Sequence, residues 1–197
     1  MSTRFAKEKL PAGYRLAARI DLIKNRRQLL LVNGLAIALM LLTIAAGILL
    51  QPQGADNVFE LIDDPWGFAL KALVAVLGTL GYIVGHEAVH GVCMWLYSHS
   101  KPHFGFSLAY AYAGSQLYFA KLPYMVIAIA PVAAWGVLLG LLAALLPAAW
   151  FWPVWIIQIT NISGAAGEFY VFVRMIHQPA SVLVQDTGTA MSLWKPA

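Results

Sequence analysis

The chain has 197 residues, of which 60% are hydrophobic and only 11% charged. That length points to one domain, and so few charges exclude an ordinary soluble globule, in which about a quarter of residues are charged. The net charge of +4 does not mark a nucleic-acid binder, because the cations are concentrated at one end. Eight of the thirteen Lys and Arg residues, Arg4, Lys7, Lys9, Arg15, Arg19, Lys24, Arg26 and Arg27, precede the first long apolar run.

In chain order, residues 1–28 form a basic leader. Its place directly before an apolar run suits contact with anionic lipid headgroups. Leu16, Ile20, Ile23 and Leu30 recur at roughly helical spacing, which predicts a helix lying on the membrane surface. Residues 29–50 are uncharged and long enough to cross a bilayer. The leader is too long and the span too extended for a signal peptide, so the segment reads as retained. The connection 51–66 carries Asp56, Glu60, Asp63 and Asp64 and no cation. A second span, 67–97, has Lys71 near its start and His86, Glu87 and His90 near its end. Its lone Cys93 has no partner for an intramolecular disulfide.

The next connection alternates Phe104, Phe106, Leu108, Tyr110 and Tyr112 with smaller or polar residues, the period of a strand. Gly114-Ser115 permits a turn into 116–120, which predicts a hairpin. Its exposed edge could hold an extended peptide, or its aromatics could anchor at the interface. Residues 122–147 form a third span without charge. Residues 150–176 form a fourth, interrupted by Asn161, Glu168 and Arg174. The expected fold is an all-α membrane protein with about four transmembrane helices and a short cytoplasmic β-hairpin between helices 2 and 3, in a single domain, 1–197. The positive-inside rule puts the basic leader and the tail in the cytoplasm and the acidic connection outside. This is the pattern of a multi-pass protein of the inner cell membrane.

Among nine acidic residues, only Glu87 and Glu168 fall within spans, and an intramembrane ionisable residue is a functional-site hypothesis by default. Residues 86–90 read His-Glu-Ala-Val-His. On a helix, i and i+4 lie one turn apart on one face, so His86 and His90 can converge on a single metal. Glu87, beside the first ligand, reaches a water at the metal as general base. Zinc suits the task because it brings the pKa of its water to about 7.

A catalytic zinc takes a third protein ligand, and Glu168 is the candidate. Counted from the outer ends of their spans near Trp66 and Trp150, His86 lies about 30 Å in and Glu168 about 27 Å in, at 1.5 Å per residue. Both therefore reach the same depth, near the cytoplasmic boundary. The small residues from Ser163 to Gly167 let helices approach closely. An ion pair with Arg174 is the other reading of Glu168, and Asp186 in the tail is a rival third ligand. Asn161, seven residues before Glu168, falls on the same helical face. It is assigned either to catalysis, as a donor to a developing oxyanion, or to a plain interhelical bond. His99 and His103 read as solvated loop residues able to influence the site.

With His86-Glu87-x-x-His90 and the block from Asn161 to Glu168 in place, the chain resembles the putative zincin peptidases, a family of small bacterial membrane proteins distantly similar to site-2 intramembrane metalloproteases. The Gly-Phe-Ser-Leu stretch at 105–108 and Ala130-Pro131 belong to the same resemblance. It implies zinc ligation by His86 and His90, catalysis by Glu87 and a ligand at Glu168, where the family pattern usually has Asp. The implied activity is hydrolysis of peptide bonds in or near the membrane, the partners being a membrane protein or peptide substrate and the lipid bilayer. The alternatives are a transporter or electron carrier with a non-catalytic metal or haem, and an inactive protease relative. Two histidines on one face of one helix suit a single zinc better than axial haem ligation.

Overall fold

The computed structural model describes residues 5–21, 25–51, 64–106, 111–188 and 190–197. Much of the acidic connection and part of the aromatic alternation, Leu108 and Tyr110 included, lie outside them. In order, the elements are β1 (Ala6–Lys7), β2 (Tyr14–Ile20), α1 (Arg26–Leu50), α2 (Pro65–Ser98), β3 (His103–Phe106), β4 (Ala111–Gly114), β5 (Tyr118–Ala120) and α3 (Lys121–Leu145). A 3-10 turn (Ala148–Trp150) then leads into α4 (Phe151–Gly164), α5 (Ala166–Ile176), β6 (Leu183–Asp186) and β7 (Met191–Pro196).

Helix boundaries follow local chemistry. Asn25 caps α1, its Oδ1 accepting from the N–H groups of Arg27 and Gln28. Asp64 does the same for α2 through Gly67, with Pro65 in the first helical position, where its missing N–H costs nothing. At the other end, His99 adopts φ 54°, the left-handed conformation that stops a helix. Among the described residues, three helices, α1, α2 and α3, are long and apolar enough to cross a membrane. The fourth expected span is two helices, because Ala165 leaves the helical range (φ −78°, ψ 13°) between α4 and α5. Neither piece reaches the roughly 18 residues a crossing needs.

Internal packing divides the chain into two compact units, one of 1–32, 85–131 and 167–197, the other of 33–84 and 132–166. The second is helical, with Tyr82, Leu139, Val154 and Ile157 at its centre. Close approach is built in where Trp155 lies over Gly47, an arrangement any side chain at 47 would block. The Trp155 indole N–H also donates to the Thr43 carbonyl at 2.9 Å. Large apolar side chains such as Leu42, Leu49, Val76 and Leu141 are exposed on these helices, as lipid-facing residues are.

The first unit holds an antiparallel five-stranded sheet in the order β1-β5-β6-β7-β2. Its inner face (Ala6, Phe119, Val184, Leu193 and Ile20) packs with Met94, Tyr124, Ile127 and Met175 in the main core. The sheet corrects two expectations. The surface helix of the leader is replaced by β2. A four-residue interval such as Leu16–Ile20 fits a strand's period of two as well as a helical turn, and here tertiary pairing with β7 decides. A register shift between Leu16 and Ala18 leaves Leu16 half exposed and Ile20 buried. The tail, read as plain cytoplasmic chain, supplies β6 and β7.

The hairpin between the second and third helices exists, but with its turn elsewhere. His103 pairs with Gly114 and Phe106 with Ala111, so the alternating stretch folds back on itself instead of forming one strand. Residues 118–120 then join the larger sheet beside β6.

Candidate metal centre

Helix α2 presents His86 and His90 one turn apart, their rings edge to face with centroids 5.0 Å apart. Glu168 lies in the first turn of α5, where the partial positive charge of a helix N-terminus favours a carboxylate. Its place is fixed from the far end of α5, where the Lys121 ammonium donates to the carbonyls of Ile176 and Gln178. Glu168 Oε1 lies 3.4 Å from His86 Nε2 and 3.7 Å from His90 Nε2. Among the described residues, one group of three His, Cys, Asp or Glu donors is close enough to share an ion, and it is these three, all within 4.8 Å of one another.

These separations are long for hydrogen bonds. They match ligands on a common ion, since bonds of 2.0–2.1 Å to a tetrahedral zinc put donor atoms ~3.3 Å apart. The second ring nitrogen of His90 supports the same reading. Nδ1 lies 2.9 Å from the Ile127 carbonyl; a carbonyl only accepts, so Nδ1 carries the proton and Nε2 keeps its lone pair for a metal. That carbonyl is available for a covalent reason. Its helical donor would be the N–H four residues on, at Pro131, which proline lacks.

Glu87 stands outside the ligand set. Its Oε2 accepts from the Ala113 backbone N–H at 2.7 Å, so strand β4 aims the carboxylate. The hairpin in turn rests on α2. The Phe104 ring covers Gly91, the residue after His90, and a Cβ at 91 would collide with it and press on Pro102. The arrangement is three grouped donors that could hold one ion, with the Glu87 carboxylate held apart from them by a backbone bond.

The sequence profile of the putative zincin peptidase family matches residues 79–183, more than half of the chain. The chain belongs to that family. No curated protein and no solved structure matches it. The matched stretch of this zincin-family chain contains His86, Glu87, His90 and Glu168, and the family's description, putative zincin peptidase, suggests a metallopeptidase.

Other expected residues take different parts. Asn161 is fully buried in the helical unit, and its amide donates to the Val132 carbonyl at 3.2 Å and to Gln158 at 3.3 Å. This is the interhelical bond of the two readings above. The shared face with Glu168 presumed an unbroken helix, and Ala165 interrupts it. Asp186 accepts from the Tyr124 hydroxyl at 2.5 Å and the Gly188 N–H at 2.8 Å, and it is not among the three grouped donors. Burial pushes its carboxyl above the ordinary value, while those two bonds pull it back. The charges of His90 and Glu168 act on it in opposite directions. His99 ends α2, and His103 Nε2 lies 3.3 Å from the Thr187 carbonyl, positioned to donate to it.

Three contributors escaped the sequence reading: the Ala113 N–H, the Ile127 carbonyl and Tyr124. Two are backbone groups, invisible to side-chain motifs. Pro131 was the available signal, because a proline within an apolar helix always frees the carbonyl four residues earlier.

Proposed function

We propose that the protein is a zinc-dependent membrane peptidase that hydrolyses peptide bonds in or near the bilayer. The observation that carries this is a His-His-Glu donor set at zinc-ligand spacing, with a separate carboxylate held off it by a backbone bond. His86, His90 and Glu168 hold the ion. When bound there, zinc supplies Lewis-acid polarisation of the scissile carbonyl and a lowered pKa for water. Glu87 takes the proton of the attacking water and returns it to the leaving amine. The Ala113 N–H keeps the acting oxygen oriented through both transfers. An extended substrate pairs with the β3–β4 hairpin by strand addition.

We further read the chain as crossing the inner membrane four times, with both termini in the cytoplasm. Support comes from the five-stranded sheet. It joins strands from before α1 (β1 and β2), from between α2 and α3 (β5), and from after α5 (β6 and β7). Strands bonded into one sheet lie on one side of a membrane, so each interval between them makes an even number of crossings. Helices α1 and α2 account for the first pair; α3 with α4–α5 accounts for the second. Single cysteines placed at residue 3, at 56 and at the C-terminus, in a Cys93→Ala background, test this in intact cells. Residue 56 reacts with an impermeant maleimide, and the two ends react only after lysis. Opposite labelling of the two ends would overturn the four-crossing reading.

The peptidase reading is tested with protein in lipid nanodiscs, stripped by chelator, reloaded with zinc and incubated with a complex peptide library. New peptide termini, detected by mass spectrometry, should appear with zinc and not in the stripped sample. Identical products from both samples, or none from either, contradict hydrolysis at this site and favour a non-catalytic metal protein.

A further inference from the structure

The C-terminal hairpin lies mostly beyond the family match, which ends at residue 183. Its turn nevertheless meets the strand that carries the Ala113 N–H. Gly114 sits so close to the Thr187 backbone that a Cβ there would collide with it. The Tyr112 ring covers Gly188, a residue at φ +81° that has no room for a side chain. The backbone carbonyl of Asp186 accepts from the Ser115 N–H at 2.7 Å, which ties the end of β4 to β6. The Asp186 carboxylate holds the turn in this shape. One oxygen takes the Gly188 N–H and the other the Tyr124 hydroxyl of α3, so the turn is fastened to the helix whose Ile127 carbonyl orients His90.

We propose that Asp186 is a positioning residue for Glu87, acting through the bend at Thr187 and Gly188 and strand β4, so that the C-terminal hairpin completes the site. This rests on the metal centre described above. Asparagine at 186 keeps the volume but offers one acceptor oxygen to two donors. One of them is then unpaired, the turn loosens, and the strand that aims Glu87 loosens with it. His90 keeps its bond to the Ile127 carbonyl, and Glu168 keeps its place in the first turn of α5.

The experiment uses cobalt(II) in place of zinc in the full-length protein in nanodiscs, and reads visible absorption as a function of pH. The wild type, Asp186→Asn, Gly188→Ala, Glu87→Gln and His90→Ala are compared. Cobalt uptake by Asp186→Asn is expected to stay within about threefold of wild type, which also shows that the variant folds. The pH midpoint of its spectrum is expected to move in the direction of Glu87→Gln, by about one unit, the scale on which a nearby carboxylate shifts a titration. Gly188→Ala, which disturbs the same turn without touching a charge, should move it the same way. Normal uptake with an unmoved midpoint in Asp186→Asn overturns the inference alone. Uptake reduced as severely as in His90→Ala overturns it too, because Asp186 would then act on the ligands. A wild type that takes up no cobalt overturns the metal centre itself.

Discussion

Replacing His90 by alanine is expected to remove the metal. Zinc affinity, measured by competition with a chromogenic chelator, should fall by more than ~100-fold, beyond the range for losing an outer hydrogen-bond partner of a ligand. Glu168 and His86 would remain 3.4 Å apart, but two donors leave a tetrahedral ion half-coordinated. The Ile127 carbonyl, which has no helical N–H to accept from because of Pro131, also loses its donor. Glu168→Ala should behave alike. Near-normal affinity in either variant means that the ion, if bound, sits elsewhere.

Glu87→Gln is expected to give the opposite combination, with one zinc per chain retained and hydrolysis reduced at least ~10²–10⁴-fold, the usual contribution of a general base. The amide can still accept from the Ala113 N–H, so the strand and the ligands stay where they are. What is lost is the capacity to take a proton. Single-turnover cleavage of any peptide identified from the library provides the comparison. A variant that cleaves as fast as the wild type removes Glu87 from the mechanism, whereas one that loses its zinc makes Glu87 a structural support.

How much of this was legible in the sequence depends on what kind of information each feature carries. Unbroken apolar runs of 20 or more residues located α1, α2 and α3 to within a few residues, because a bilayer imposes length directly. The His86–His90 spacing carried its own geometry, since both residues ride one rigid helix. Glu168 was reachable because it is an acid in an apolar run. Strands β2, β6 and β7 were not legible. They exist through pairing with strands distant in sequence: β2 with β7, as Tyr14 pairs with Pro196, and β6 with β5, as Gln185 pairs with Tyr118. The same limit explains Asn161. Ala165 is an ordinary helix former, and nothing at that position announces that α4 stops there. Asp186 was read as a rival third ligand; its actual partners, Tyr124 and Gly188, depend on a sheet that the sequence did not reveal.

The most direct test of the central claim is X-ray absorption at the zinc edge of the purified wild-type protein. The account predicts one zinc per chain, with a first shell of nitrogen and oxygen at about 2.0–2.2 Å and the outer-shell scattering of two imidazoles. A sulfur at about 2.3 Å, which would bring in Cys93, or a shell without imidazole scattering would contradict the site formed by His86, His90 and Glu168.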